Sequence, residues 1–222
     1  MQKFFRTVFA LTLLTELLPA APAAAQPLPQ DVITVGAGTV PAGQVVDIPV
    51  FIRDTSGTPL GMDQPPGSKI QSYSIKVNYA PAASVQSVTF SRAGITTALT
   101  PTFESSPTGP GTISLLDTFQ ESTNPIPFTL NAAVPGNQVA HLLFTLSPTA
   151  IAGSTVTLTL DPTLTQLTDQ AGSGATKETV GAGNLLLVNG VINVTAFVPA
   201  LSTWALILLA AALAIIAVRI RM

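Results

Sequence analysis

Ser72-Tyr73-Ser74-Ile75-Lys76-Val77-Asn78-Tyr79 decides how the chain is read. Tyr73, Ile75, Val77 and Tyr79 share one parity; Ser72, Ser74, Lys76 and Asn78 share the other. Successive side chains of a strand point to opposite faces, so this is a half-buried strand, apolar inward and polar outward. The same period recurs on both sides of it. In 45–52, Val46, Ile48, Val50 and Ile52 alternate with Asp47, Pro49 and Phe51. In 139–146, Ala140, Leu142, Phe144 and Leu146 share one face, and in 155–160, Val156, Leu158 and Leu160 alternate with threonines. Less regular runs stand at 33–35, 85–90, 112–119 and 185–194, the last broken by Asn189-Gly190. Nothing between Gln26 and Thr195 sustains the i, i+3, i+4, i+7 spacing of an amphipathic helix. Pro41-Ala42-Gly43, Pro65-Pro66-Gly67, Pro107-Thr108-Gly109-Pro110-Gly111 and Pro135-Gly136 place turns between the runs. Pro49 has no N–H to give to a ladder, which predicts an edge strand or a bulge there. About nine short strands, each with one apolar face, predict an all-β, jelly-roll-like sandwich of two sheets.

The ends obey different rules. The chain has 222 residues, 9 basic and 11 acidic, one His and no Cys. All 16 Gly lie between the ends. There, 5 basic residues (Arg53, Lys69, Lys76, Arg92, Lys177) face 10 acidic ones, so the domain is mildly acidic and lacks the basic stripe that nucleic acid requires. The absence of Cys removes disulfides, thiolate catalysis and Cys-type zinc sites together. Lys3 and Arg6, the apolar stretch 7–18 and Ala23-Ala24-Ala25 read as a secretory signal peptide over 1–25, cut between Ala25 and Gln26. At the other end, 197–218 is 22 residues without a charge, enough to span a bilayer, with Trp204 at one interface and Arg219 and Arg221 on the cytoplasmic side. The expected division is a signal peptide at 1–25, a sandwich at 26–196 and a transmembrane helix with a basic end at 197–222.

The motif ahead of that span resembles the C-terminal sorting signals read by exosortase-type transpeptidases. Val198, Pro199, Ser202, Thr203, Trp204, Ala205 and Leu206 match the branch beginning Val-Pro-Glu-Pro-Ser-Thr-Trp-Ala-Leu (PEP-CTERM). Pro199, Leu201, Ser202 and Trp204 match the Ile-Pro-Thr-Leu-Ser-x-Trp-Gly branch (IPTL-CTERM), so the tail is a hybrid of the two. The resemblance implies export in a Gram-negative bacterium, an inner-membrane-anchored intermediate, and then cutting by an exosortase-type enzyme and transfer to the cell surface or matrix.

The middle resembles a cohesin domain. The resemblance rests on Ile33-Thr34-Val35-Gly36, Pro41-Ala42-Gly43-Gln44-Val45-Val46-Asp47-Ile48-Pro49-Val50, Ile75-Lys76-Val77-Asn78-Tyr79-Ala80-Pro81, Leu142-Leu143-Phe144 and Asn189-Gly190-Val191-Ile192-Asn193-Val194. Ala80 stands where the family has Asp, and 54–69 is longer and richer in Pro and Gly than the usual connection. The family implies a dockerin-like protein partner. It also implies that strands 112–119 and 139–146 are neighbours in one sheet beside 72–79, the face on which dockerins dock. On that arrangement the outward Leu116, Val139 and Leu143, rimmed by Ser74, Lys76, Asn78 and His141, form a small apolar patch with polar edges. Apolar residues exposed singly are also ordinary on any surface. A polysaccharide-binding or matrix role is the alternative, although sugar platforms need exposed aromatics and the middle offers few.

No catalytic constellation stands out, and the expectation is a non-enzymatic module. The acidic residues are scattered; Asp117 and Glu121, at one strand end, are the pair nearest to a glycosidase dyad. His141 has no Ser and Asp set around it as a triad would require. Asp169-Gln170-Ala171-Gly172 resembles half of an oxygen-ligand calcium loop without the Asp/Asn alternation, so no cofactor is expected beyond that calcium alternative.

Overall fold

The computed structural model describes residues 28–169 and 176–196. The expected signal peptide with Ala23, Ala25 and Gln26, and the expected span with Val198, Pro199, Ser202, Thr203, Trp204, Arg219 and Arg221, lie outside them. No helix of the described residues is long and apolar enough to cross a membrane.

The strands are β1 (Asp31–Val35), β2 (Ala37–Pro41), β3 (Val45–Arg53), β4 (Ser72–Ala80), β5 (Val85–Arg92), β6 (Phe103–Ser105), β7 (Thr108–Gly109), β8 (Thr112–Thr118), β9 (Asn137–Leu146), β10 (Thr155–Leu160), β11 (Gln166–Thr168), β12 (Lys177–Thr179), β13 (Leu185–Val188) and β14 (Gly190–Thr195). They form two mixed sheets, and apart from three short 3-10 turns no helix is present among the described residues. One sheet has the order β13-β1-β3-β9-β5. The other runs β12-β11-β4-β10-β14-β2, with β8 on the free side of β4 and the short β6 and β7 on β8. The alternating parity supplies the core between them: Ile33, Ile48, Ile52, Ile75, Val77, Leu142, Phe144 and Leu158 are fully buried. Tyr79 and Phe144 meet edge to face with ring centroids 5.5 Å apart.

Two details depart from the alternation. The run expected over 185–194 is two strands in different sheets, because the chain crosses over at Asn189 as β1 and β2 cross at Gly36. The crossings run side by side: β13 is parallel to β1 and β14 is parallel to β2. A Cβ on Gly190 would fall against the Gly36 carbonyl oxygen and 2.9 Å from that of Val35, so this close approach requires glycine. Pro49 lies in an interior strand, and the ladder slips one residue further on: Val50 pairs with Ala140 but Phe51 with Gln138. Val139 is the extra residue of that bulge.

The 54–71 connection has no strand of its own and is ordered by carboxylates. Thr55 N–H donates to Asp31 Oδ1 (2.7 Å), Met62 N–H to Asp54 Oδ2 (2.8 Å), Leu60 N–H to Glu178 Oε1 (2.8 Å) and Gly57 N–H to Asp63 Oδ2 (2.9 Å). Leu60 and Ile70 reach the core from this loop. Asp31, Asp54 and Glu178 are themselves fully buried. Burial, with the Glu178 carboxyl against it, pushes the Asp31 carboxyl up to about 9. Burial also raises Asp54 and Glu178.

Candidate functional site

β4 carries the outward polar row expected of it: Ser74, Lys76 and Asn78 are half-buried while Tyr73, Ile75 and Val77 beneath them are buried. β8 pairs with β4 along its length and sets Leu116 beside Ser74, Ser114 beside Lys76 and Thr112 beside Asn78. The rows continue on both flanks. Gln166 of β11 lies beyond Ser74, and Ser105 of β6 lies beyond Leu116. Thr159 of β10 stands next to Asn78. The last row runs Thr168, Ser72, Thr118, Phe103, and there Phe103 is 55% exposed.

This outer face is shallow and mostly short-chained. Ser72, Ser74, Leu116, Phe103, Thr118, Gln166, Thr168 and Lys177 surround a depression of about 240 Å³. Its hydroxyls are held in place: Ser72 Oγ donates to the Asp117 carbonyl at 2.9 Å, and Ser74 Oγ to that of Leu164 at 3.0 Å. Lys76 Nζ lies 4.0 Å from Asp161 Oδ2 at the rim. The hydroxyl of Thr163 and the N–H groups of Thr163 and Leu164 hold the Asp161 carboxyl below its ordinary value. Two apolar side chains, Leu116 and Phe103, thus sit among donors and acceptors that are already oriented. Such a surface can bury a partner side chain and hydrogen-bond around it without first losing much rotamer freedom.

The expected patch does not form as one surface. β9 pairs with β3 and β5 in the five-stranded sheet and has no ladder with β8. His141 and Leu143 therefore lie on the opposite outer face of the sandwich from Leu116, Ser74, Lys76 and Asn78. Leu143 stands between Asp47 and Thr89, and His141 between Pro49 and Ser91, with His141 Nδ1 2.6 Å from Asp47 Oδ1. Val139 is not outward at all. As the bulge residue it turns inward and is fully buried, and its carbonyl accepts from Ala93 N–H and Thr96 Oγ1. An extra residue shifts the parity by one, so alternation counted back from Leu146 fails at this position.

Asp117 and Glu121 do not face each other as a catalytic pair. Glu121 Oε2 accepts from Gly67 N–H, whereas Asp117 is buried and accepts a short hydrogen bond from the Tyr73 hydroxyl. Burial pushes the Asp117 carboxyl up to about 6, with Glu104 across the ladder adding to the effect and the Tyr73 hydrogen bond opposing it. Arg92 ties this corner together through Glu104 (2.5 Å) and the carbonyls of Thr96 and Leu99. Of the stretch that resembles half a calcium loop, Asp169 accepts from Thr176 N–H at 2.8 Å, and 170–172 lie outside the described residues. The sequence reading missed Phe103, because a three-residue strand between Pro101 and Pro107 has no period to betray it.

Comparison with known proteins bears on both parts of the chain. The IPTL-CTERM motif matches residues 198–222. No curated protein matches the chain. Among solved structures, the domain is similar to the third cohesin of ScaC from Acetivibrio cellulolyticus in complex with the ScaB dockerin, at 19% identity and a TM-score of 0.53, over 75% of this chain and 100% of that one. It is similar to CaCohA2 of Clostridium acetobutylicum in solution, at 21% identity and 0.52, over 77% of this chain and 94% of that one. It is likewise similar to CaCohA2 in complex with a variant of CaDoc0917, at 22% and 0.52, over 75% and 100%. The described domain thus has the fold of the cohesins, and the chain ends in an IPTL-CTERM motif.

Proposed function

We propose that the protein is an exported, non-enzymatic module that binds another extracellular protein, of dockerin type, through the outer face of β4, β8 and β6. The observation that carries this reading is the pair Leu116 and Phe103 set in a shallow floor of fixed Ser, Thr and Gln side chains. Solved complexes of cohesins with dockerins support a protein partner. A glycan platform stacks sugars on several rings, whereas Phe103 is the one exposed aromatic among the described residues, which favours protein. The tail, 197–222, holds the exported chain at the membrane until an exosortase-type enzyme cuts near 198–202 and passes the domain on to the cell surface.

Capture of exported proteins on the immobilised chain, followed by calorimetry with the dockerin-like protein retained, tests the reading. Leu116→Arg should weaken binding by about 30-fold or more, the effect of losing a central anchor worth about 2 kcal/mol. Leu143→Arg, on the opposite face, should bind like the wild type. The reverse pattern, or retention of a polysaccharide with no protein, overturns the proposal.

A further inference from the structure

Five stretches of chain close one end of the sandwich, and none of them carries a charge: 41–45, 80–85, 107–112, 147–155 and 193–196. They are laced to one another. Thr195 pairs with Pro41, and Val45 with Thr145. Gly43 N–H donates to the Ser147 carbonyl (3.2 Å), Ser147 N–H to that of Ser84 (2.9 Å), Gly153 N–H to that of Val194 (2.8 Å) and Tyr79 N–H to that of Gly111 (2.8 Å). On this end Ile151 is 74% and Val45 55% exposed. Pro81, Ala82, Ala83 and Pro148 are exposed on it as well. The opposite end is charged, with Arg53, Asp54, Asp63, Lys69, Glu121 and Lys177. Val134 and Met62 are exposed there too, but among ions: Arg53 donates to the Ala132 carbonyl and Lys69 to that of Met62.

We propose that this uncharged end rests on the lipid bilayer while the tail holds the chain there, with Ile151 and Val45 entering the headgroup region. The proposal builds on the reading of 197–222 as a membrane anchor. β14 ends at Thr195 and the 22-residue uncharged run begins at 197, so Ala196 alone separates the last strand from it. A helix of that length measures about 33 Å against a hydrocarbon core of about 30 Å, which leaves almost nothing to lift the domain off the surface. Whatever surrounds the root of β14 therefore meets headgroups. Charged side chains at that place would have to give up water, and the five stretches have none to desolvate. Apolar side chains gain by entering the interface, and Ile151 and Val45 are the ones exposed here. The excess of acid, 10 residues against 5 basic ones, is kept away from anionic lipid. This orientation also serves the partner. β4 and β8 run between this end, at Ala80 and Thr112, and the far one, at Ser72 and Thr118. The depression bounded by Ser72, Thr118 and Phe103 thus faces away from the membrane and is open to a partner before the tail is cut.

The chain has no cysteine, so single-cysteine variants can each carry one polarity-sensitive fluorophore. Full-length Val45→Cys, Ile151→Cys, Ser122→Cys and Ala210→Cys, labelled and reconstituted into vesicles of phosphatidylethanolamine and phosphatidylglycerol, test the proposal. Ser122 is exposed at the charged end, and position 210 lies in the tail and reports the anchor itself. Emission from 45 and 151 should be blue-shifted relative to that from 122 and quenched by nitroxide placed at headgroup depth on the lipid. Emission from 122 should be quenched by aqueous iodide alone. Lipid quenching at 210 without any at 45 and 151 overturns the proposal and leaves the anchor standing. No lipid quenching at 210 overturns the anchor and the proposal with it. Shielding of 151 from iodide without lipid quenching means that a second copy covers this end, which also overturns it.

Discussion

Replacing Asp117 by asparagine removes an ionisable group from an interior corner where the Tyr73 hydroxyl and the charge of Arg92 favour ionisation but burial outweighs both. Tyr73 donates to Asp117 Oδ2, and Oδ1 has no donor. The folded carboxyl titrates at about 6 against an ordinary 3.8. Because the folded value is the higher, the native state holds its proton where the unfolded chain has released it. The contribution to stability is therefore complete below about pH 3.8, is lost as pH rises to about 6, and stays lost above. At 1.36 kcal/mol per unit the loss is about 3 kcal/mol, or about 6–12 °C in Tm for a domain of this size. Asparagine keeps an acceptor for Tyr73 and carries no charge, so Asp117→Asn should be more stable than wild type at pH 7.5 by up to that amount. At pH 3.5 the two should be nearly equal. Urea unfolding of both proteins from pH 3.5 to 7.5 measures the difference, and subtraction cancels the titrating groups that lie away from this corner. Parallel curves across that range would refute the placement of a carboxylate at this corner whose burial outweighs the help of Tyr73 and Arg92.

Gly190→Ala should cost about 3 kcal/mol by urea unfolding, since its Cβ meets the carbonyls of Gly36 and Val35 rather than a flexible side chain. Val139→Lys should lose about 3–5 kcal/mol or fail to fold, because the bulge points it into the core. Leu143→Lys, on the strand beyond the bulge and opposite Asp47, should stay within about 0.5 kcal/mol of wild type in the same assay. In the exported protein, mass spectrometry should find a population that begins at Gln26 and has lost Arg221-Met222; an intact C-terminus on the bulk of surface material would mean a plain anchor.

The strands were legible because their parity is written in side-chain type, as in Tyr73, Ile75 and Val77 against Ser74, Lys76 and Asn78. The sheet partners were not. Alternation says which way a residue faces but not which strand lies beside it; the expectation that β8 and β9 are neighbours came from the family resemblance, and the two lie in different sheets. The bulge at Val139 was hidden for a related reason: Val139 and Ala140 are both apolar, and nothing marks the residue at which the count slips. The buried acids were legible in principle. Asp31 shares the parity of Ile33, Asp54 that of Ile52 and Asp117 that of Leu115, all of them inward residues. The habit of placing carboxylates at solvated strand ends concealed what the parity already implied. Glu178 gave no such signal, since its strand is three residues long.

The paired crossings at Gly36 and Gly190 bear on how the domain carries load. β1 lies parallel to β13 and β2 parallel to β14, with matched registers from Asp31 with Leu185 to Thr195 with Pro41. A pull applied between the start of β1 and the end of β14 slides each pair lengthwise. The ladder bonds of both pairs then bear the tension together instead of parting one after another from an end. Because the two pairs belong to different sheets, the same pull also engages both layers of the sandwich at once. Stretching single molecules by their two ends should accordingly meet one high rupture force, whereas pulling outward on the β5 edge of the smaller sheet should unzip it at a much lower one.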